Sequence, residues 1–228
     1  MLVKFESFEE ANAVYTFTDV RGFTQWSRRN PGDMKRLAAL IYNIADEVCE
    51  SKTDAKYRRR VVKNLGDGCF WVNEYKKDKH TRLSATTAFM QVVQFHHYFH
   101  EALRQSNIHG RNQLQLGFGV TYGASHRFYT RGQSIDYIGE KINLASRFCA
   151  KAEANQVVFE PDLKEYHARA MELLEVATVD VDEHVEELRG YGQVEYLTCG
   201  LSFSSRVLQK IYSIGHDSEY LPGLLAEL

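Results

Sequence analysis

Asp19 and Asp67 are the residues whose surroundings point most directly to chemistry, because each stands where a strand-like run gives way to a turn. Ala13 to Thr18 (AVYTFT) is β-branched and aromatic and reads as a buried strand, with Asp19 closing it. Arg60 to Leu65 and Cys69 to Val72 read as the arms of a tight hairpin, with Asp67 at its Gly66-Asp67-Gly68 tip. If these strands are neighbours, the two carboxylates converge at one sheet edge. Such a pair is how proteins hold Mg²⁺ or Mn²⁺, whose remaining positions go to water and phosphate oxygens. The alternative is structural: Asp19 caps the following helix and Asp67 makes the turn.

Two further clusters carry less. His96 and His100 lie one helical turn apart, a spacing that can bind zinc. No cysteine or carboxylate signature accompanies them, so a solvated helix face is the expectation. Arg58-Arg59-Arg60 could meet phosphate or nucleic acid, but a charged edge strand is the plainer reading.

Positioning these residues takes strands and helices in alternation. Asp19 to Thr24 reads as a loop feeding a helix. Pro31, with Asn30 and Asp33 around it, starts another through Met34 to Cys49. Ser84 to Gln105 has apolar residues at helical spacing and is expected as a long amphipathic helix. Gln113 to Tyr122 alternates as a strand and is followed by a polar, basic excursion over Gly123 to Gln133. Ile142 to Ala152 reads as a helix, and Gln156 to Phe159 and Gln193 to Cys199 as strands, the last preceded by the turn Arg189-Gly190-Tyr191-Gly192. The Gly-Asp-Gly hairpin makes the sheet partly antiparallel. The expected class is therefore α+β, with helices packed on a mixed sheet.

The 228 residues suit one domain that buries its own core. With no linker, repeat or low-complexity tract, residues 1–228 are expected as a single unit, its motifs within 13–200 and a tail over 201–228 that carries none. A net charge of −2 and a pI near 6.5 give no global pull toward nucleic acid or anionic membrane, so phosphate chemistry must rest on local basic residues. The four cysteines, Cys49, Cys69, Cys149 and Cys199, are scattered and read as reduced thiols in a cytoplasm. No apolar run approaches the roughly 20 residues that span a bilayer. A soluble cytoplasmic protein is expected.

Three segments taken together resemble the signatures of class III adenylate and guanylate cyclases. Phe17-Thr18-Asp19-Val20-Arg21-Gly22-Phe23-Thr24 is similar to F-x-D-x-x-G-F-T, and Lys63-Asn64-Leu65-Gly66-Asp67-Gly68 to K-x-x-G-D. Asp136-Tyr137-Ile138-Gly139, followed by Asn143-Leu144-Ala145-Ser146-Arg147, is similar to D-x-x-G-x-x-[VI]-N-x-A-x-R. They occur in the family's order over nearly the whole chain.

The resemblance implies the cyclase homology fold and closure of a nucleoside triphosphate into a 3′,5′-cyclic nucleotide plus pyrophosphate. It makes Asp19, Asp67 and the Val20 backbone the ligands of Mn²⁺ or Mg²⁺, two ions per active site. The amides of Val20 to Thr24, including Gly22 and Phe23, would cradle the triphosphate at a helix N-terminus. Lys63 and Asp136 would read the base beside Phe17, Asn143 would orient the ribose, and Arg147 would stabilise charge on the α-phosphate. Arg189 and Arg131 would contact the triphosphate. In this family the metal aspartates and the transition-state residues of one site come from different protomers, which implies a head-to-tail homodimer. Neither nucleic acid nor membrane is an implied partner.

Lysine and aspartate at the base positions usually accompany ATP in this class, and the same pair satisfies cytosine or, with the order reversed, uracil. The lone catalytic layout, Thr24-Gln25-Trp26-Ser27 and Asp136-Tyr137-Ile138-Gly139 resemble the compact pyrimidine cyclases of bacterial anti-phage systems, whose cyclic UMP or cyclic CMP activates a separate effector. Phe17, Phe70 and Tyr137 could fill a pocket around a smaller base or simply be core aromatics. The expectation leans to a pyrimidine, with an adenylate cyclase as the alternative. Two rivals remain: another metal-dependent nucleotidyltransferase or phosphodiesterase, and a non-catalytic dimerising or nucleotide-sensing module. The first does not explain the spacing of Asn143 and Arg147. The second is weakened because neither metal aspartate nor Arg147 is missing.

Overall fold

The computed structural model describes residues 8–49, 59–75, 81–129, 135–174 and 180–201, the side chains of Arg59 and Arg60 excepted. Arg58, Arg131 and the tail beyond Leu201 lie outside the described residues. The chain runs β1 (Phe8–Arg21), α1 (Phe23–Arg29), α2 (Met34–Cys49), β2 (Arg59–Asn64), β3 (Gly68–Tyr75) and α3 (Thr81–Gln105). It continues with β4 (Gln115–Tyr129), β5 (Ile135–Ile138), α4 (Glu140–Lys151), β6 (Gln156–Phe159), α5 (Lys164–Leu173), β7 (Val181–Leu188) and β8 (Gly192–Gly200). One sheet holds the order β2-β3-β1-β4-β6-β8-β7, with β5 bonded to β4. Every pairing is antiparallel except β4 with β6. This is the expected α+β class, a mixed and largely antiparallel sheet flanked by helices.

The central strand β1 sorts its side chains by face, as the two-residue repeat of a strand requires. Val14 and Val20 join the larger core with residues of α2 and α3. Ala13 and Tyr15, with half-buried Phe17, pack instead against Phe70, Tyr137 and Ile142. Asp19 and Arg21 continue this second face, over which α4 lies. Its close approach depends on Gly119 in β4, where a Cβ would strike the Ala145 carbonyl and the Cys149 amide.

Four expectations change. Asp19 does not close its strand, because β1 runs two residues further and Asp19 pairs with Gly68 and Gly117. Gly123 to Tyr129 is not an excursion: it continues β4, paired with the early residues of β1 on one side and with β5 on the other. Helix α3 is not amphipathic in effect, being buried at every position from Ser84 to His97. Gln91 is bonded inside, accepting from Asn73 Nδ2 (2.7 Å) and donating to the Val48 carbonyl (3.1 Å). The histidines are consequently not on a solvated face. His96 is buried with its ring 4.5 Å from that of His100, and the His100 Nε2 lies 3.0 Å from Asn155 Oδ1. Burial depresses the pKa of both. The basic Arg59-Arg60 pair does fall on β2, the sheet's edge strand.

A buried histidine on α5 makes acid stability testable. His167 is 3% exposed, stacked on Phe159 (5.0 Å) and edge-on to Phe89 (5.1 Å). Desolvation pushes its pKa from 6.5 down to about 4. The folded state thus stays neutral where the unfolded chain takes up a proton, so stability present above pH 6.5 is lost as pH falls toward 4. Between pH 7 and pH 5 this group alone should remove about 2 kcal/mol. Urea melts of His167→Phe, which keeps the aromatic packing, should show a shallower pH dependence than wild type over that interval. Equal slopes would mean the residue is protonated or hydrated in place.

Candidate active site

The hairpin joining β2 to β3 brings the two aspartates together. β3 is the neighbour of β1, and Asp19 faces Gly68 in register, one residue from Asp67. The Asp67 carbonyl accepts from the Val20 N–H at 2.9 Å, and the Leu65 N–H donates to the Gly68 carbonyl at 2.8 Å, closing the turn. Asp19 is partly buried, and its pKa is raised first by that burial and then by the like charge of Asp67, against an opposing pull from Arg21. Two carboxylates held close against their own repulsion form a site that a divalent cation relieves, so the donor chemistry fits Mg²⁺ or Mn²⁺. Among the described residues no group of three or more His, Cys, Asp or Glu side chains is placed to hold a metal ion. Two carboxylates plus backbone, water and substrate oxygens is therefore the donor set available.

The Val20 amide is already committed to Asp67, which corrects its expected place in a triphosphate cradle. Gly22, Phe23 and Thr24 open α1, where first-turn amides have no intrahelical acceptor. Gly22 adopts φ 81°, and a Cβ there would lie 2.6 Å from the Gln113 carbonyl oxygen, so this sharp exit from β1 favours glycine on both counts.

Lys63 and Asp136 meet as an ion pair of 2.6 Å although 73 residues apart, because β2 and β5 both approach this face. Lys63 is 51% exposed and Asp136 20%, so the pair is wet enough to exchange partners at little cost. The Tyr137 N–H donates to Asp136 Oδ1 at 2.9 Å and helps to orient the carboxylate. Phe70 pairs in register with both Lys63 and Phe17, and the Phe17 and Phe70 rings stack at 4.4 Å. Tyr137 is buried in the same cluster.

Asn143 and Arg147 project from α4 one turn apart and are exposed. They share a groove of about 720 Å³ with Arg189, Gly190 and Tyr191 of the β7–β8 turn. The Arg147 guanidinium lies over the Tyr191 ring at 5.6 Å, and the Tyr191 hydroxyl donates to the Glu140 carbonyl at 3.0 Å. Tyr191 was missed in the sequence; its position two residues after Arg189 was the available signal. Neither aspartate lines this groove. The described site residues thus fall into a carboxylate edge, a Lys63–Asp136 pair over aromatics, and a basic groove. All four cysteines are buried.

No helix among the described residues is long and apolar enough to cross a membrane. The family model for the adenylate and guanylate cyclase catalytic domain matches residues 5–196. No curated protein matches in sequence. Among solved structures, the adenylyl cyclase CyaB from P. aeruginosa is 15% identical, with TM-score 0.64 over 86% of this chain and 97% of that one. The guanylyl cyclase Cya2 is 16% identical, with TM-score 0.65 over 86% and 95%. The non-canonical dimeric guanylyl cyclase domain of the RhoGC fusion protein from the aquatic fungus Blastocladiella emersonii is 15% identical, with TM-score 0.61 over 85% and 99%. At such identities these neighbours establish the fold, while the family model covers both aspartates, Lys63, Asp136, Asn143, Arg147 and Arg189. The chain belongs to the adenylate and guanylate cyclase catalytic-domain family, the class III nucleotidyl cyclases.

Proposed function

We propose that this cyclase acts on a pyrimidine nucleoside triphosphate, releasing pyrophosphate and cyclic UMP or cyclic CMP. The observation that carries the reading is the Lys63–Asp136 pair seated beside the stacked rings of Phe17 and Phe70. The ammonium donates and the carboxylate accepts, which suits cytosine through N3 and its N4 amine, or uracil through O4 and N3–H. Adenine presents the same pattern at N1 and N6. The aromatic wall favours the smaller base, because rings packed beside the pair would leave less room for a two-ring one.

Asp19 and Asp67, with the Val20 backbone beside them, would hold the divalent ions, Mn²⁺ or Mg²⁺. Bound there, the metal lowers the pKa of the ribose 3′-OH and neutralises phosphate charge. The chain's own residues do the rest. Amides of Gly22, Phe23 and Thr24 bind phosphate oxygens, and Arg189 holds the β- and γ-phosphates. Arg131 is a further triphosphate contact. Asn143 orients the ribose so that its 3′ oxygen lies in line with the α-phosphorus, and Arg147 stabilises the charge that grows on the α-phosphate. The groove of Asn143, Arg147 and Arg189 excludes both aspartates of its own chain. A head-to-tail homodimer unites the two halves. Its cyclic product would act on a separate effector, as in anti-phage signalling, within the cytoplasm.

Purified protein with Mn²⁺ and each of ATP, GTP, CTP and UTP, with products identified by mass, tests this directly. Cyclic UMP or cyclic CMP formed in preference to the purine products is expected. Cyclic AMP alone would make this an adenylate cyclase, and equal turnover of all four would remove the role given to the aromatic wall. No cyclic product from any would favour the non-catalytic reading.

A further inference from the structure

Arg21 ends β1 two residues beyond Asp19, on the same face of the strand. Its Nη1 donates to Asp19 Oδ2 at 3.0 Å. Its Nη2 donates to the Cys149 carbonyl on α4 and lies 3.8 Å from the Cys149 Sγ. The Arg21 side chain is 23% exposed and that of Asp19 40%, so the pair is partly shielded from water. Room for the guanidinium comes from Gly117, the residue of β4 that opposes Asp19 in register. A Cβ on Gly117 would run into Arg21 at Nε, Nη2 and Cζ. On its other flank Asp19 faces Gly68, where a Cβ would strike the Thr18 carbonyl. The carboxylate is therefore bordered by two residues without side chains, and Arg21 lies in the space that one of them leaves.

We propose that Arg21 is a positioning residue of the metal site, clamping the Asp19 carboxylate to the backbone of α4 so that it is held in one orientation, aimed toward Asp67. The inference rests on Asp19 and Asp67 being the metal ligands. Three arguments support it. The Arg21 guanidinium lies 3.0 Å from the Asp19 carboxylate as a charge-assisted donor, which limits the orientations that carboxylate can take. Losing an outer donor that orients a metal ligand typically costs roughly 10- to 100-fold in metal affinity. A guanidinium is a rigid fork whose two ends can hold two acceptors at once, here Asp19 and the Cys149 carbonyl, whereas an ammonium is a point charge on a flexible stem.

The test is Mn²⁺ binding, read from the electron paramagnetic resonance of the free ion, with the α,β-methylene triphosphate that wild-type protein binds most tightly. This analogue cannot be cyclised, so no turnover enters the measurement. Arg21→Met should weaken Mn²⁺ binding by roughly 10- to 100-fold. Arg21→Lys should not recover wild-type affinity. Gly117→Ala keeps the arginine but displaces it, and should reproduce the loss. The double variant should be no weaker than Arg21→Met, because both changes break one clamp. Thermal melts without metal check that each variant is folded. Wild-type binding in Arg21→Met and Gly117→Ala would overturn the proposal, as would full recovery in Arg21→Lys or losses that multiply in the double variant. Absence of Mn²⁺ binding by the wild-type protein would instead remove the metal assignment of Asp19 and Asp67, and the clamp with it.

Discussion

Asp67→Asn is expected to abolish cyclic-nucleotide formation, lowering kcat by at least about a thousandfold, while the protein melts at its usual temperature. The two outcomes separate because Asp67 supports the turn through its backbone, whose carbonyl accepts from the Val20 N–H. Asparagine leaves that bond and the Leu65-to-Gly68 closure in place. It also removes one of the two charges whose proximity raises the pKa of Asp19, so the metal-free fold has nothing to lose electrostatically. What disappears is half of the carboxylate pair. Turnover and differential scanning calorimetry on one preparation check both. Retained turnover would break the metal assignment, whereas a large fall in melting temperature would reassign Asp67 to the turn alone.

Much of this site was legible because its residues sit where local rules are strong. The Gly66-Asp67-Gly68 tip is set by turn chemistry, and Ala13 to Thr18 by β-branched and aromatic content, so the two carboxylate-bearing segments could be placed before any contact was known. What escaped was decided at long range. Ser125 to Tyr129 (SHRFY) is polar enough to read as loop, yet it is held as strand by register with Phe8 to Ala11 and by β5. β7 reads Val-Asp-Glu-His-Val-Glu-Glu-Leu and is exposed over most of its length, so it offered no apolar alternation to find. α3 shows helical spacing but is covered on all sides from Ser84 to His97, and periodicity cannot report how many neighbours a helix will have. The Arg21 contacts depend on Gly117 opposing Asp19 across β1 and β4 and on α4 lying above both, a coincidence of register that no local window contains.

Mixing two dead variants should restore activity, and the amount restored reports the architecture of the site. Arg147→Ala leaves the metal carboxylates intact but empties the groove of its central cation, which now lies over Tyr191. It should lower kcat by about two to three orders of magnitude with little change in KM, as for a contact made in the transition state. Asp67→Asn is inactive for the opposite reason. In a head-to-tail homodimer one protomer supplies the carboxylates and its partner supplies Asn143 and Arg147. A mixed dimer of the two variants then contains one site with both defects and one with neither. Random exchange of equal amounts makes half the dimers mixed, so recovered activity should approach about a quarter of wild type. Dilution below the dimer dissociation constant should abolish it. If each chain held a complete site of its own, mixing would recover nothing at any ratio. That result would leave the fold and family unchanged and require the groove and the carboxylate edge to close on each other within one chain, which the present separation of Asp19 and Asp67 from the groove lining opposes.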